Sequence, residues 1–313
     1  MAAADSTRVV IIAFIGNALI AAAKLTAAAI TGSAAMFAEG VHSIVDSGNQ
    51  LLLLYGIRRS RRPPDQRHPF GYGMEVYFWS FVVAILLFSG GAGVSIYEGI
   101  DKIGHPHAVD RPYVNFIVLA FALAFEGYAF FAAVREMNRR RREGEGVFAY
   151  IRRSKDAPLV VVLLEDAGAL FGLAIAATAL AGALIFDAPV LDGVASLTIG
   201  LLLAAAAIIL SIETKGLLIG EAASPRIQEG IAAILREDTR IIAINEVLTM
   251  HMGPEDIFCV LSVDFRDAIS SVEVEASITD LERRIKAAYP TVGRVFIEAQ
   301  SVAGHAEAIG AVD

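Results

Sequence analysis

Met36-Phe37-Ala38-Glu39-Gly40-Val41-His42-Ser43-Ile44-Val45-Asp46-Ser47-Gly48-Asn49-Gln50 runs directly into Leu51-Leu52-Leu53-Leu54. From Met36 to Ile57 the chain is long enough, at about 20 residues, to cross a bilayer as a helix. His42 and Asp46 then sit at membrane depth, one helical turn apart on one face. An imidazole and a carboxylate stacked in this way can hold a divalent cation together, because both are ligands for zinc and its neighbours. The alternative is that they hydrogen-bond adjacent helices as structural glue, although ionisable groups inside a span are costly and usually functional.

The rest of the composition agrees with a membrane setting. Of 313 residues, 56% are hydrophobic and 19% charged, with a mean hydropathy of +0.58. Ordinary soluble domains hold about 45 to 50% apolar residues. The net charge of -8 hides an asymmetry, with arginines crowded into a few loops and acids gathered in the last third. That pattern argues topology and not nucleic-acid binding. The single cysteine, Cys259, excludes an internal disulfide and reads as a core residue. Residues 1–7 have no basic region before a cleavage site, so no removable signal peptide is expected.

Five further apolar runs accompany the organising one: Val9 to Ile30, Val76 to about Ile100, Tyr113 to Val134, Leu159 to Phe186 and Val190 to Ile212. Thr31-Gly32-Ser33 makes a tight turn between the first two, and Gly90, Gly91 and Gly93 permit close helix approach in the third. Six spans are expected. Two loops are rich in arginine, one from Arg58 to Arg67 and one from Arg135 to Lys155. Both fall on the same side, which puts them and both termini in the cytoplasm, with a bacterial inner membrane as the expected location.

After Ile212 the texture changes. Ser224-Pro225 starts a helix, with Ser224 as N-cap and Pro225 at its first position. Ile242 to Met250 and Ile257 to Phe265 alternate as strands around Gly253-Pro254-Glu255-Asp256. Ser270 and Glu273 open a helix as a capping box, and Val292 to Ala299 gives a last strand. The expected organisation is a transmembrane domain over 1–215, a small α+β domain of αββαβ order and ferredoxin-like kind over 216–302, and a disordered tail, with His305, over 303–313.

A second chemical cluster lies on the fifth run, at Leu163-Leu164-Glu165-Asp166-Ala167-Gly168. Two adjacent carboxylates in an apolar span call for a neutraliser, and a bound cation is the simplest. Helical neighbours point about 100° apart, so Asp166 can face the second span while Glu165 points obliquely beside it. A protonated Glu165, carrying a proton beside a water-filled cavity, is the alternative. Glu126, in the body of the fourth run, reads either as a structural ion pair with Lys24 or as part of a proton or metal path. Asn17 and Asp192 are candidates for orienting ligands from outside the coordination shell.

Taken together, His42-Ser43-Ile44-Val45-Asp46, His68-Pro69-Phe70-Gly71-Tyr72-Gly73, the acidic fifth span, Asp192 opening the sixth and the αββαβ domain resemble the cation diffusion facilitator family over nearly the whole chain. The resemblance implies proton-coupled export of a divalent cation by a homodimer, joined through the C-terminal domain. It implies no enzyme activity and no resident cofactor, the metal being cargo. It also implies four ligands shared between the second and fifth spans, and His42, Asp46 and Asp166 match three of them. The fourth position is Val162, which cannot bind metal, and the chain looks closer to a branch with Glu-Asp on this span. Glu165 is the nearest substitute; a water, Glu39 or Glu126 are the others.

Zn²⁺ suits imidazole with carboxylates, and Mn²⁺ or Fe²⁺ suit the oxygen-rich alternative. Protons compete with metal for the same ligands, so a site facing each side in turn exchanges one for the other. An intramembrane aspartyl protease using Asp46 and Asp166 is the competing class, and a passive metal channel or metal-responsive scaffold is a third; the protease leaves His42 and Glu165 unexplained. A metal site in the soluble domain, from His251, Glu255, Asp256 and Glu298, is the weaker reading, since loop carboxylates are usually just solvated.

Overall fold

A computed structural model describes residues 2–31, 34–106 and 112–310, with side chains for 6–26, 29, 43–106 and 113–310. Gly32 and Ser33, expected to form a turn, lie outside the described residues, as do the side chains of His42 and Glu39. The chain divides by its internal contacts into two units, Met1–Lys215 and Gly216–Asp313.

The first unit is helical. Its helices are α1 (Ala2–Thr31), α2 (Ala34–Ser60), α3 (Glu75–Leu86), α4 (Val94–Gly104), α5 (Pro112–Arg140), the short α6 (Val147–Arg153), α7 (Ala157–Phe186) and α8 (Val190–Ile219), whose last turn belongs to the second unit. A π-helical segment, Leu87–Gly93, joins α3 to α4, so the third apolar run is one rod with a widened middle. A residue inserted into a helical ladder in this way often marks a functional region.

Five stretches are long and apolar enough to cross a membrane: Ser6–Thr26, Glu75–Gly104, Tyr113–Arg140, Ala157–Phe186 and Val190–Ile219. The six expected from the sequence thus become five on length and composition among the described residues. Helix α2 stands apart because its 27 residues interleave His42, Ser43, Asp46, Ser47, Asn49 and Gln50 with the apolar positions and end on Arg58 and Arg59. It packs nonetheless against α1 and α3, and Ser43, Ser47, Asn49 and Gln50 are all buried. A helix polar on one face satisfies that face by turning it toward protein.

The glycines expected to bring helices together, Gly90, Gly91 and Gly93, fall in the π segment. The closest backbone approach comes elsewhere: a Cβ on Gly99 of α4 would meet the backbone of Leu197 in α8, and Gly193 and Gly200 of α8 meet Ile103 and Ile96 of α4 in the same way. Small residues at a helix crossing are how membrane helices pack tightly.

At one end of the first unit a polar cluster ties three helices. Arg140, at the end of α5, bonds Glu136 at 2.7 Å and Ser6 of α1 at 3.1 Å, and pairs with Asp156. Ser6 also donates to Asp156, which caps α7 by accepting from the Leu159 amide at 3.3 Å. The basic loop after α2 is ordered by Asp65, whose carboxylate accepts from the amides of Arg67 and His68 and, at 2.6 Å, from the Tyr72 hydroxyl. These bonds hold the Asp65 carboxyl below its ordinary range, that from Tyr72 most strongly.

In the second unit, α9 (Pro225–Arg236), β1 (Ile241–Gly253), β2 (Asp256–Phe265), α10 (Ser271–Ala288) and β3 (Val292–Ala299) follow in the αββαβ order read from the sequence. The sheet order is β1-β2-β3; β1 and β2 are antiparallel, β2 and β3 parallel. Ile257, Cys259, Leu261 and Val263 alternate along β2 toward Ile231, Leu235, Leu281 and Ile285 of the two helices. Ser224 and Pro225 stand at the N-cap and first position of α9. Ser270 and Glu273 form the capping box of α10, with the Ser270 amide donating to Glu273 at 2.8 Å. Val302–Gly310 is helical, α11, where the sequence suggests a disordered tail, and His305 approaches Gln300 Oε1 at 3.0 Å.

Candidate metal centre

Helices α2 and α7 meet through side chains that the sequence places more than 100 positions apart. In α7, Glu165 and Asp166 are 7% and 1% exposed, among Val160, Val161, Val162 and Leu163, which are equally buried. The run is apolar enough to be helical and buried on every side, so the two acids are carried inward with it. In α2, Asp46 is half-buried, and Asn49 and Gln50 follow it three and four positions on, on the same face.

Those two amides hold Glu165. Asn49 Nδ2 donates to Oε1 at 3.3 Å and Gln50 Nε2 donates to Oε2 at 3.0 Å. Both oxygens of one carboxylate are therefore engaged from one helix. Asp166 differs: its Oδ2 is buried and has no hydrogen-bond partner among the described residues, and the same holds for Gln50 Oε1. A buried acceptor without a donor is costly, by about 1 to 3 kcal/mol, unless something cationic or protic meets it. Asp46 and Glu126 lie close enough to act electrostatically on both Glu165 and Asp166, so four acidic side chains from α2, α5 and α7 share one region.

The remaining sequence candidates distribute as follows. Lys24 of α1 donates to Ser43 Oγ at 3.2 Å, next to His42 in α2. Asn17 is buried in α1. Asp192, at the start of α8, pairs with Lys102 of α4 at 3.0 Å and is 39% exposed. Val162 is fully buried and apolar. Among the described residues no three His, Cys, Asp or Glu side chains gather closely enough to hold a metal, and the His42 side chain is outside that set. Asn49 and Gln50 were not singled out from the sequence. The signal available was their spacing from Asp46, which continues the polar stripe of His42 and Asp46 by one turn.

In the second unit, His251 is buried and its Nδ1 lies 3.3 Å from the Gly253 carbonyl. Burial raises the carboxyl of Asp256 above its ordinary range, against the pull of Arg294 and His251. Glu255 is exposed, and Glu298 sits opposite Ser262, well along β2 from Ile257, which pairs with His251. The four do not converge.

Fold and site together define a multi-pass helical membrane protein with acidic side chains buried between helices. Residues 10–219 match the cation efflux transmembrane domain. The chain belongs to the cation efflux, or cation diffusion facilitator, family. It is 35% identical over 259 residues to a mitochondrial proton-coupled zinc antiporter of Xenopus laevis, covering 82% of this chain and 46% of that protein. It is 31% identical over 261 residues to a metal tolerance protein of Arabidopsis thaliana, 83% of this chain and 57% of the relative. A manganese efflux system protein of Bacillus subtilis is 37% identical over 98 residues, 31% of this chain and 32% of the relative. The chain thus spans about half the length of the first two relatives. The family and the zinc and manganese relatives bear the names of transport proteins, not of enzymes.

Proposed function

We propose that this chain is a proton-coupled antiporter that exports a divalent cation, with Zn²⁺ as its main cargo. The observation that carries the reading is the pair Glu165 and Asp166, buried side by side in α7, with Glu165 held by Asn49 and Gln50 of α2. Acids so placed in a span serve ions or protons. His42, Asp46 and Asp166 are the proposed ligands, with Glu165 supplying the share that Val162 lacks and Glu126, Glu39, Asn17 and Asp192 in accessory roles. Imidazole with carboxylates favours zinc, and the zinc antiporter named among the relatives supports that choice.

In this reading α2 also crosses the membrane, as the second of six spans, its polar face turned to α7. The arginine-rich loops, and both termini with them, face the cytoplasm or its topological equivalent. The second unit is a ferredoxin-like domain through which two copies join. Cation and proton compete for the same oxygens and ring nitrogen, so each displaces the other as the site opens first to one side and then to the other.

Manganese is the second reading, favoured by the oxygen-rich donors and by the Bacillus subtilis relative. Purified protein in vesicles, loaded with Zn²⁺, Mn²⁺ or Fe²⁺ with and without a pH gradient, tests both. Zinc flux that follows the gradient, with proton counterflow, is expected, and its loss in Asp46→Ala and His42→Ala. Flux unaltered in those variants overturns the site; flux indifferent to the gradient overturns the coupling.

A further inference from the structure

We propose that Asn49 and Gln50 are positioning residues that set how far Glu165 takes part in holding the cation, and so set which cations the protein accepts. This rests on the antiporter reading above. Both oxygens of Glu165 are taken by donors, and both donors come from α2. Neighbouring Asp166, in contrast, keeps one oxygen without a donor among the described residues. The two carboxylates therefore stand in different situations although they adjoin in sequence and are almost equally buried.

A carboxylate of three rotatable bonds is a poor ligand unless something fixes it, because freezing its rotamers costs free energy that the ion must otherwise supply. Amide donors on both oxygens fix it, as outer partners of ligands commonly do. They also restrict it. An oxygen bonded to an amide can still give a lone pair to a cation, but it cannot travel. Asn49 and Gln50 are 2% and 0% exposed, so both donors are sealed from bulk solvent. Gln50 moreover keeps its own Oε1 buried and without a donor among the described residues. A buried glutamine that satisfies a neighbour while leaving its own acceptor unmet is held there by the bond it makes. With Val162 at the vacant ligand position, the reach of Glu165 decides whether the cation meets an extra oxygen, and oxygen number is what separates manganese from zinc.

The test is the ratio of zinc to manganese transport in vesicles containing full-length protein with Gln50→Met, which keeps length and removes the donor, and with Asn49→Leu. Each is expected to raise KM for zinc about 10- to 100-fold with a smaller change in kcat, and to shift the zinc-to-manganese ratio of kcat/KM by a similar factor. In a Glu165→Gln background the same substitutions are expected to change that ratio by no more than about twofold, because they act through Glu165. Gln50→Asn, which keeps the amide and draws it back by one methylene, is expected to lie between wild type and Gln50→Met, and reads the same ratio if Gln50→Met does not insert. An unchanged ratio in these variants, or an equal shift in the Glu165→Gln background, overturns the inference while wild-type transport and its loss in Asp46→Ala leave the antiporter reading standing. Wild-type protein that moves neither cation defeats the antiporter reading itself.

Discussion

Lys24 Nζ of α1 and Ser43 Oγ of α2 are joined by a buried hydrogen bond of 3.2 Å. The residues are 8% and 4% exposed, and the bond lies one position from His42. It ties two neighbouring helices, and a buried ammonium needs each acceptor it has.

Ser43→Ala removes that acceptor and leaves the ammonium in place. A loss of about 1 to 3 kcal/mol is expected, since a hydrogen bond to a charged group is at stake. Unfolding in detergent, followed by the single Trp79, measures it; a change within about 0.5 kcal/mol contradicts the structural weight given to this bond.

Arg140 gathers Ser6, Glu136 and Asp156, binding α1 and α7 to the end of α5. Arg140→Met takes the guanidinium from two carboxylates that are 8% and 12% exposed, leaving Glu136 with Arg139 and Asp156 with Ser6 and the Leu159 amide. Breaking a largely buried pair from one side costs about 3 to 5 kcal/mol. The double variant Arg140→Met with Asp156→Asn is expected to recover part of that loss, and equal destabilisation by single and double variants contradicts the network.

Glu145 is held by Arg153, which lowers its carboxyl from 4.5 to about 2, with the Arg142 amide assisting. A depressed carboxylate stabilises the fold above its unfolded value and ceases to do so as pH falls through the folded one. The protection of α6 amides, taken as their exchange relative to the intrinsic rate at each pH, is therefore expected to be steady above pH 4.5 and to fall as the pH drops toward about 2. Glu145→Gln should flatten that dependence, and an unchanged acid response in the variant argues against the tie.

Cys259 lies in the core of the second unit, fully buried, and burial raises its thiol to about 11. Little thiolate exists at pH 8, so an alkylating reagent is expected to leave it unmodified until this unit unfolds. Gly220, at φ +113, leaves no space for a side chain because a Cβ would strike Met250. Gly220→Ala should cost about 1 to 3 kcal/mol and bring alkylation of Cys259 forward to lower denaturant. Rapid labelling of the native protein, or an unshifted labelling midpoint in Gly220→Ala, contradicts this packing.

Much of the fold was legible because its signals are local. The capping box of Ser270 and Glu273, the N-cap Ser224, the turn between β1 and β2 and the long apolar runs are each decided within a few residues. The burial of Glu165 and Asp166 was legible for the same reason. What could not be read depends on pairs remote in sequence. Asn49 and Gln50 meet Glu165 across 116 and 115 positions, and nothing near them reports that partner. The π segment arises in a glycine-rich run whose Ala92 carbonyl faces Gly200 of α8, another remote approach. Helix α2, read as a span from its length, is too polar to count as one by composition alone, and its buried polar residues are turned toward the neighbouring helices.

The central claim is that α2 and α7 hold a divalent cation between them. Anomalous X-ray diffraction at the zinc edge, on crystals of the full chain grown with Zn²⁺, locates the ion directly. A peak is expected about 2.0 to 2.2 Å from carboxylate oxygens of both Asp46 and Asp166, and it should vanish in Asp166→Ala. Strong zinc peaks elsewhere with none between those two helices would contradict the account.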